Sequence, residues 1–324
     1  MAMKLYNESD IQNIADAIRE KNGTQDRYKV SEMAQAIEDI SGGGDAYVFL
    51  QKYTSPTDLS QYSLEGLTEL RNYAFFNDAN LANISLPSGL TNIGEYAFAG
   101  CPNLALTSLP SGLTSIGQYA FQDCTNLALT SLPSGLTSIG GNAFNNCANL
   151  SLTSLPDGLT FIGDNAFSGC TNLALTSLPD GLTFIGNGAF LYCTNLALTS
   201  LPDGLTSISS SAFNGCTNLA LTTLPSGITS IGDSAFKKCT NLAMISLPDG
   251  VTSIGGAVFS GCSSLKTVLC NATNPPSLGP NAILKTHDDL AIYVPDASVS
   301  AYKSAANWST YASKIHAMSE YTPS

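Results

Sequence analysis

The chain has 324 residues, of which 44% are hydrophobic and 12% are charged, a balance that predicts a folded protein and excludes a disordered one. Its net charge is −12, and no Lys or Arg lies between Arg71 and Lys237. Because phosphate groups are bound mainly by clustered Lys and Arg, we expect no nucleic-acid partner and no anionic membrane surface as partner for this stretch. No apolar run reaches the length of about 18 residues that a membrane-spanning helix needs, so no membrane insertion is expected.

The first 45 residues differ in pattern from the rest of the chain. The start, MAMKLYNESD, has no basic region followed by an apolar stretch, so no signal peptide is visible. Apolar stripes at spacings of three and four predict a helical hairpin in residues 1–40, followed by a Gly-rich linker over 41–45. Because so small a hairpin needs something to pack against, residues 8–40 are a candidate for self-association or for docking on a partner. The stripes are Ile11, Ile14 and Ile18, and Met33, Ile37 and Ile40.

A period of 23 residues runs through the centre of the chain, within the range of about 20 to 29 that is typical of leucine-rich repeats. Each unit is too small to bury a core alone, so neighbouring units must stack and share one. The predicted fold class is a repeat solenoid over residues 46–270, with about nine coils built mostly of short β-strands. The period is set by Phe75, Phe98, Phe121, Phe144, Phe167, Phe190, Phe213, Phe236 and Phe259.

One complete unit is PSGLTSIGQYAFQDCTNLALTSL, residues 110–132. NLALTSLP predicts a short strand, the Pro-Ser/Asp-Gly that follows predicts a turn, and GLTSIG predicts a second extended piece. The Ala-Phe-x-x-Cys segment then returns the chain to the core. Phe, Ile, Leu and Cys are expected to face inward.

These residues resemble a known family. The pattern Leu-Pro-x-Gly-Leu-x-x-Ile-Gly-x-x-Ala-Phe-x-x-Cys-x-x-Leu is similar to the BspA-like leucine-rich repeats of bacterial surface proteins, over roughly residues 64 to 270. That family usually has Leu-x-x-Ile-x-Leu on its strand, whereas the middle units have Leu104, Leu106 and Leu109, with Thr107 in place of Ile. The departure leaves the strand register or the curvature of the middle coils open.

The run IADAIREKNGTQDRYKVSEMAQAI near the N-terminus carries a second resemblance. It is similar to a short N-terminal module of tail-associated structural proteins of phages and prophages. The resemblance implies an anchoring or assembly role for the hairpin. It also implies a location on a virion tail as the alternative to a bacterial or extracellular surface.

Residues 271–324 leave the period and predict an α/β cap that covers the last coil. NPPSLGPNA predicts an irregular loop and LAIYVP predicts a strand. Residues 296–318 predict a helix capped by Asp296 or Ser298. The side chains expected to be buried there are Val299, Tyr302, Trp308, Tyr311 and Ile315.

The cysteines also recur every 23 residues. Because no unit has a Cys-x-x-Cys pair or a partnering His, they predict a structural ladder of reduced, buried thiols and no metal site. Cys270 lies outside the ladder and is the one expected to be accessible. The ladder consists of Cys101, Cys124, Cys147, Cys170, Cys193, Cys216, Cys239 and Cys262.

No catalytic residue, cofactor site or metal site is predicted. His287 stands beside Asp288 and Asp289, but a His with two carboxylates in a loop is more often a solvated surface than a site. The sequence contains no phosphate-binding loop, nucleophile elbow or HExxH motif. We therefore expect the protein not to be an enzyme.

The positions flanking each Phe vary between otherwise near-identical units. We therefore expect their side chains to lie outside the core and to line one flank of the solenoid. Exposed aromatics among Asn, Asp and Gln suit the binding of a protein or a glycan, although drift at unconstrained surface positions explains single aromatics equally well. The leading hypothesis is recognition or adhesion on a bacterial or host surface, and the alternative is a structural spacer or assembly protein. The candidate ligand-binding residues are Tyr96, Tyr119, Phe161, Phe184, Leu191 and Tyr192.

Overall fold

The computed structural model describes residues 67–323. The predicted hairpin (1–40), the linker (41–45) and the first residues of the predicted solenoid lie outside this range. None of the helices within 67–323 is long and apolar enough to cross a membrane.

Ten two-residue strands form the first face of the solenoid, and in each an outward residue precedes a buried Ile or Leu. The predicted leucine-rich repeat solenoid is confirmed. Wherever these strands pair with a neighbour they are parallel, as with Ile93 opposite Ile116 in the next coil. Each coil is numbered by its strand on this face, so that coil 1 contains Phe75 and coil 9 contains Phe259. The strands are β1 Glu69–Leu70, β2 Asn92–Ile93, β3 Ser115–Ile116, β4 Ser138–Ile139, β5 Phe161–Ile162, β6 Phe184–Ile185, β7 Ser207–Ile208, β8 Ser230–Ile231, β10 Ser253–Ile254 and β12 Ser277–Leu278.

A second parallel sheet forms only at the C-terminal end. Its strands, in spatial order β14-β13-β11-β9, are β9 Met244–Leu247, β11 Thr267–Cys270, β13 Ala291–Val294 and β14 Ile315–Ala317. The prediction that NLALTSLP is a strand is wrong for the middle coils. In coil 3 the chain buries Leu127 and Leu129 but then exposes both Thr130 and Ser131. A half-buried strand needs strict alternation, which this spacing breaks.

The hydrogen bonds between coils also differ between the middle and the end of the solenoid. In coil 3 the NLALTSLP segment is not a strand, and its Ala128 N–H donates to Leu106 O of the preceding coil at 3.0 Å. In β9 the alternation of Ile245 and Leu247 is intact, and the strand pairs along its whole length with β11. The departure from Leu-x-x-Ile-x-Leu therefore removes this sheet from the middle of the solenoid.

The return segment around each Phe is held by a third set of inter-coil bonds. In coil 3 the N–H groups of Tyr119, Phe121 and Asp123 donate to carbonyls of coil 4 at 2.8–2.9 Å. The Phe rings stack on one another along the core, with centroid distances that range from 5.0 Å at the first pair to 5.8 Å at the last. Aromatic stacking is thus added to the burial of apolar area in every coil.

The glycine that follows eight of the ten short strands allows neighbouring coils to approach closely. A Cβ on Gly163 would lie 2.6 Å from the backbone nitrogen of Gly141, so no other residue fits there without displacement. Coil 7 has Ser209 at this position, and β6 and β7 are not paired. The Ser209 hydroxyl instead donates to Ile185 O. The ladder is also interrupted between β3 and β4, where no side chain accounts for it.

The cap differs from its prediction in two places. Ser277–Leu278, predicted as part of a loop, is β12 and extends the first face by a tenth coil, because it pairs with β10 in parallel. The predicted long helix is wrong: only α1 (Val299–Ser304) is α-helical, flanked by 3-10 segments. Asn307 then turns the chain with a φ of 63°, and Ile315 begins β14. The 3-10 segments are Asp296–Ser298, Trp308–Lys314 and Met318–Glu320.

Buried aromatic side chains attach the cap to the last coils. Tyr302, Trp308 and Ile315 are buried as expected, while Val299 and Tyr311 are only partly buried. Trp308 Nε1 donates to Pro276 O at 2.8 Å. Neither expected cap residue bonds to the helix: Asp296 accepts from Ser319 N and the Ser298 hydroxyl donates to Thr273 O. Trp308 and Ser298 therefore tie the cap to the segment that leads into β12, whereas Asp296 bonds within the cap.

Candidate functional site

The ladder cysteines lie in the interior, and each thiol donates to the carbonyl of the Phe in the preceding coil at 3.0–3.1 Å. Burial raises their pKa values, to about 12 for Cys101 and Cys262, and well above the usual range for Cys147 and Cys193. These thiols therefore stay protonated and act as small apolar groups with one hydrogen bond. Within residues 67–323, no group of three or more His, Cys, Asp or Glu is placed to hold a metal ion.

Cys270 is not accessible, which corrects the expectation from the sequence. Its side chain is fully buried, and its Sγ lies 3.3 Å from the hydroxyl of Tyr302. The Tyr302 hydroxyl donates to Ala272 O at 2.7 Å, which leaves its oxygen free to accept from the thiol. The strand β11 ends at Cys270 and the cap helix lies over it, so burial raises the pKa of this thiol too.

His287 takes part in a local turn. Its Nδ1 accepts a hydrogen bond from Asp289 N at 3.1 Å, and lies 3.7 Å from a carboxylate oxygen of the same residue. This contact organises the loop before β13. It gives no arrangement of a base, an acid and an orienting group of the kind that catalysis requires.

The backbone conformation restricts which residues occur at the variable positions beside each Phe, and the sequence did not reveal this. Two positions in each coil have a positive φ, one two residues before the Phe and one two residues after it. This left-handed region favours Gly, Asn and Asp, because a larger side chain strains the backbone there. The first column is Tyr73, Tyr96, Tyr119, Asn142, Asn165, Gly188, Ser211, Ser234, Ala257 and Asn281, and the second is Asn77, Gly100, Asp123, Asn146, Gly169, Tyr192, Gly215, Lys238, Gly261 and Lys285.

Three tyrosines of the first column stack on one another across coils 1 to 3. The ring centroids of Tyr73 and Tyr96 are 4.9 Å apart and those of Tyr96 and Tyr119 are 4.4 Å apart, with planes inclined by 5°. Phe76 meets Tyr73 and Tyr96 edge-on. We call Tyr73, Tyr96, Tyr119 and Phe76 the aromatic stack. Tyr73 and Phe76 were missed in the sequence, although Tyr73 precedes Tyr96 by one period.

A second aromatic pair projects from the first face. Phe161 and Phe184 stand opposite each other in β5 and β6, with centroids 4.9 Å apart and planes inclined by 7°. Their side chains are 41% and 40% exposed. Serines occupy the same position in the flanking coils, at Ser138 and Ser207, so the outer ring faces of the pair have no large neighbour along the ladder.

Tyr192 stands alone in the second left-handed column. It is 50% exposed, and its ring covers Gly215 in the next coil, where an added Cβ would lie 2.5 Å from the ring. Leu191 beside it is partly buried. The glycine at 215 therefore provides the space for this ring.

A family model for the BspA type leucine rich repeat region matches residues 51–174 and 162–282. The chain belongs to the BspA-type leucine-rich repeat family. Comparison with curated proteins finds no match.

Solved leucine-rich repeat structures resemble this BspA-type chain. One is a leucine rich cell surface protein from Faecalibacterium prausnitzii, with 27% identity over 80% of this chain and 77% of that one, and a TM-score of 0.49. Another is the leucine rich repeat protein of T. pallidum, with 28% identity over 63% and 74% of the two chains and a TM-score of 0.37. The pneumococcal vaccine antigen PcpA has 18% identity over 78% and 83% and a TM-score of 0.40.

The predicted ligand-binding residues of this BspA-type solenoid fall into three separate groups. Tyr96 and Tyr119 belong to the aromatic stack, Phe161 and Phe184 form the pair on the first face, and Tyr192 is isolated beside Leu191. Among the residues that the structure describes, no ring contact joins one group to another. The solenoid therefore has three separate groups of surface aromatic side chains along its length.

A groove that sequence reasoning missed lies on another side of the BspA-type solenoid. It has a volume of about 720 Å³ and runs beside the Pro-Ser/Asp-Gly turns where the second sheet begins. Its polar lining includes Asp203, Thr223, Ser246, Asp249 and Asn271.

Proposed function

We propose that this protein is a non-catalytic recognition protein, which holds a protein or a glycan on a bacterial or host surface through the aromatic groups of its flank. The observation that supports this most is the presence of Tyr73, Tyr96, Tyr119 and Tyr192 at left-handed backbone positions. A residue with a Cβ costs about 1–2 kcal/mol in this conformation relative to the right-handed one. Strained residues of this kind concentrate at functional sites.

The other coils show what the fold itself prefers at these positions. The first column continues with Asn, Gly, Ser and one Ala, and Gly169 and Gly215 flank Tyr192 in the second, which also holds two lysines. Aromatic stacking returns about 0.5–1.5 kcal/mol per pair, which offsets the strain in the aromatic stack. Tyr192 has no stacked aromatic neighbour to offset its own strain, so the presence of an exposed ring at this position favours a role in binding.

The titratable groups support recognition over catalysis. The described groups with raised pKa values are the buried thiols, Tyr302 of the cap and Tyr96 of the stack. A catalytic acid or base must reach a substrate and titrate near the working pH. The buried thiols and Tyr302, whose pKa values are raised, have no access to solvent, so they cannot reach a substrate.

The site of action that we propose is either a bacterial cell surface or a phage or prophage tail. Membership of the BspA-type family supports the first, because the repeats of this chain resemble those of bacterial surface proteins. The resemblance of the N-terminal run to tail-associated proteins supports the second. In the second case we expect the hairpin predicted for residues 1–40 to anchor the protein and the solenoid to bind a receptor.

A structural spacer is the second candidate. It is favoured by the unbroken Phe ladder from Phe75 to Phe259, which joins nine coils into one rod. A spacer needs this regularity and no exposed aromatic residue. The two functions therefore differ in whether the aromatic groups matter.

The test is binding of the labelled full chain to intact Gram-positive bacteria and to host mucosal glycoproteins. Each aromatic group is replaced by the residue that other coils carry there: Tyr96→Asn with Tyr119→Asn, Phe161→Ser with Phe184→Ser, and Tyr192→Gly. We expect at least one set to reduce binding about tenfold while the thermal midpoint stays within a few degrees. Binding by all variants equal to that of the original chain would reject the flank, and no binding by any form would favour the spacer.

A further inference from the structure

The solenoid carries charge of one sign only over most of its length. Residues 72–236 contain eight Asp or Glu and no Lys, Arg or His. None of the eight is buried, and the ion pairs recorded within residues 67–323 involve His287 and His316 instead. Uncompensated charges of one sign sum to a field that attracts the opposite charge. The eight are Asp78, Glu95, Asp123, Asp157, Asp164, Asp180, Asp203 and Asp233.

The aromatic stack lies inside this field. Tyr73 is 54% exposed and Phe76 is 43% exposed, and the exposed Glu95 directly precedes Tyr96. The stack ends at Tyr119, because coil 4 has Asn142 at the corresponding position. The ring face of Tyr119 that looks toward coil 4 is therefore without an aromatic neighbour.

The residues of coil 4 beside this ring face are small: Asn142 follows Tyr119 in its column, and Gly141 precedes Asn142. Gly141 occupies the position that holds Glu95 in coil 2, and an added Cβ there would meet only backbone, at 3.4 Å or more. Asp164 follows in the same column in coil 5, where its Oδ1 accepts from Asn187 N. Along this flank an aromatic ring in coil 3 is therefore followed by an exposed carboxylate in coil 5, which accepts hydrogen bonds from Asn187 of coil 6.

A guanidinium group matches this arrangement. It is planar, is only weakly hydrated, stacks on aromatic faces and pairs with carboxylates. Placed over Tyr119, it would continue the stack by one step. A neutral glycan could also pack on an aromatic ring, but it would gain nothing from eight carboxylates without a counter-charge.

We propose that the aromatic stack, together with Glu95 and Asp164, binds an Arg-containing basic segment of a partner protein. This inference rests on the proposed function and narrows its ligand to a cationic peptide. Charge complementarity selects the occupant: residues 72–236 contain no Lys or Arg, and Arg71 in coil 1 is the basic side chain nearest to the stack in sequence.

The test uses a synthetic peptide of alternating Arg and Gly as the probe, with citrulline in place of every Arg as the uncharged control of the same shape. Binding to the full chain is measured by fluorescence anisotropy in low salt and in about 1 M salt, where charges are screened beyond about 3 Å. We expect the Arg peptide to bind at least tenfold more tightly than the citrulline peptide, and high salt to remove most of the difference.

Variants distinguish the contribution of the aromatic stack to peptide binding from the contribution of the negative charge. Tyr96→Asn with Tyr119→Asn places at both sites the residue of coils 4 and 5, so the fold is retained. We expect each lost ring to weaken Arg-peptide binding by about 2- to 5-fold, and Glu95→Gln to weaken it further. The matched control is Ser211→Asn, which places the same residue at the same left-handed position of coil 7, outside the aromatic groups, and should leave binding unchanged.

Two results would overturn the proposal: equal binding of the Arg and citrulline peptides, or an Arg-peptide affinity that the tyrosine pair variant leaves unaltered. The proposed recognition function has its own readout in the cell-binding assay. If the protein binds cells equally well in high salt, and if the tyrosine pair variant binds them as well as the original chain, the recognition function is retained and the cationic ligand is rejected. Loss of cell binding together with loss of peptide binding in that variant supports both.

Discussion

Tyr96 and Tyr119 stack with their ring centroids 4.4 Å apart and their planes inclined by 5°, although both have the positive φ that most coils assign to Asn, Gly or Ser. The backbone position disfavours each ring and the neighbouring ring favours it. The exposed tyrosines of this protein can therefore be separated by whether a stacking partner offsets their strain.

Replacing Tyr192 by Asn tests this difference. The Tyr192 ring covers Gly215 but has no stacked ring to lose, so the change removes strain at the loss of this contact, and we expect the free energy of unfolding to stay the same or rise by up to about 1 kcal/mol. Tyr119→Asn removes the same strain but also a stacked ring, so it should stabilise less than Tyr192→Asn or destabilise the protein. Chemical unfolding of the two variants side by side measures the comparison, and a clear loss of stability in Tyr192→Asn would contradict the assigned strain.

The open junction between β6 and β7 can be closed by Ser209→Gly. Without the Cβ, coil 7 can approach coil 6 as the other coils do, and we expect a gain of about 1 kcal/mol from restored backbone hydrogen bonds. The amide of Thr206 should become more protected from hydrogen exchange.

The reverse change, Gly163→Ser, is the matched control. Its Cβ would meet the backbone of Gly141 at 2.6 Å, and such backbone displacement is expected to cost about 1–3 kcal/mol. If both changes had the same sign, close approach at this glycine would not be the reason for the open junction.

The buried thiols predict loss of stability in alkali. Burial raises their pKa above the ordinary value of about 8.5, so between that value and the folded one the unfolded state binds fewer protons than the native state. Stability is complete below about pH 8.5 and falls as the pH rises, by up to about 1.4 kcal/mol per thiol per pH unit.

Circular dichroism of the reduced protein, with urea unfolding at several pH values, measures this slope. With nine buried free cysteines, we expect unfolding within one or two pH units above pH 9, and a thiol reagent should react only as the chain unfolds. Cys193→Ala should make the slope shallower by one thiol. A midpoint independent of pH up to 10.5 would exclude the thiols as the controlling groups.

The cap should depend on Trp308. Its ring is buried against Tyr302 at a centroid distance of 4.9 Å, and its Nε1 donates to Pro276 O. Trp308→Phe keeps most of the apolar contact but leaves the Pro276 carbonyl without its donor, at a cost of about 1–3 kcal/mol. Trp308→Ala should cost about 3–5 kcal/mol and expose Cys270 to thiol reagents. Unchanged labelling of Cys270 in Trp308→Ala would show that the cap does not protect this thiol.

The amino-acid sequence by itself determined the repeat architecture of this protein. A spacing of 23 residues between Phe98 and Phe121, or between Ile93 and Ile116, places identical side chains one coil apart. Inward and outward positions then follow from the repetition. The same repetition indicated the thiol ladder and the aromatic residues of the flank, since a substitution such as Ser to Phe161 is visible against its neighbours.

Only the tertiary structure decided the features that depend on backbone conformation or on distant segments. The positive φ of Tyr96 and Tyr119 depends on a hydrogen-bonded return segment whose shape no local pattern encodes. Cys270 is buried because Tyr302, 32 residues later, folds over it, and Ile315 joins a sheet although its sequence favoured a helix. Periodicity reports which side chains face the core, whereas long-range packing sets the backbone that presents the rest, because each coil completes its hydrogen bonds only against its neighbours.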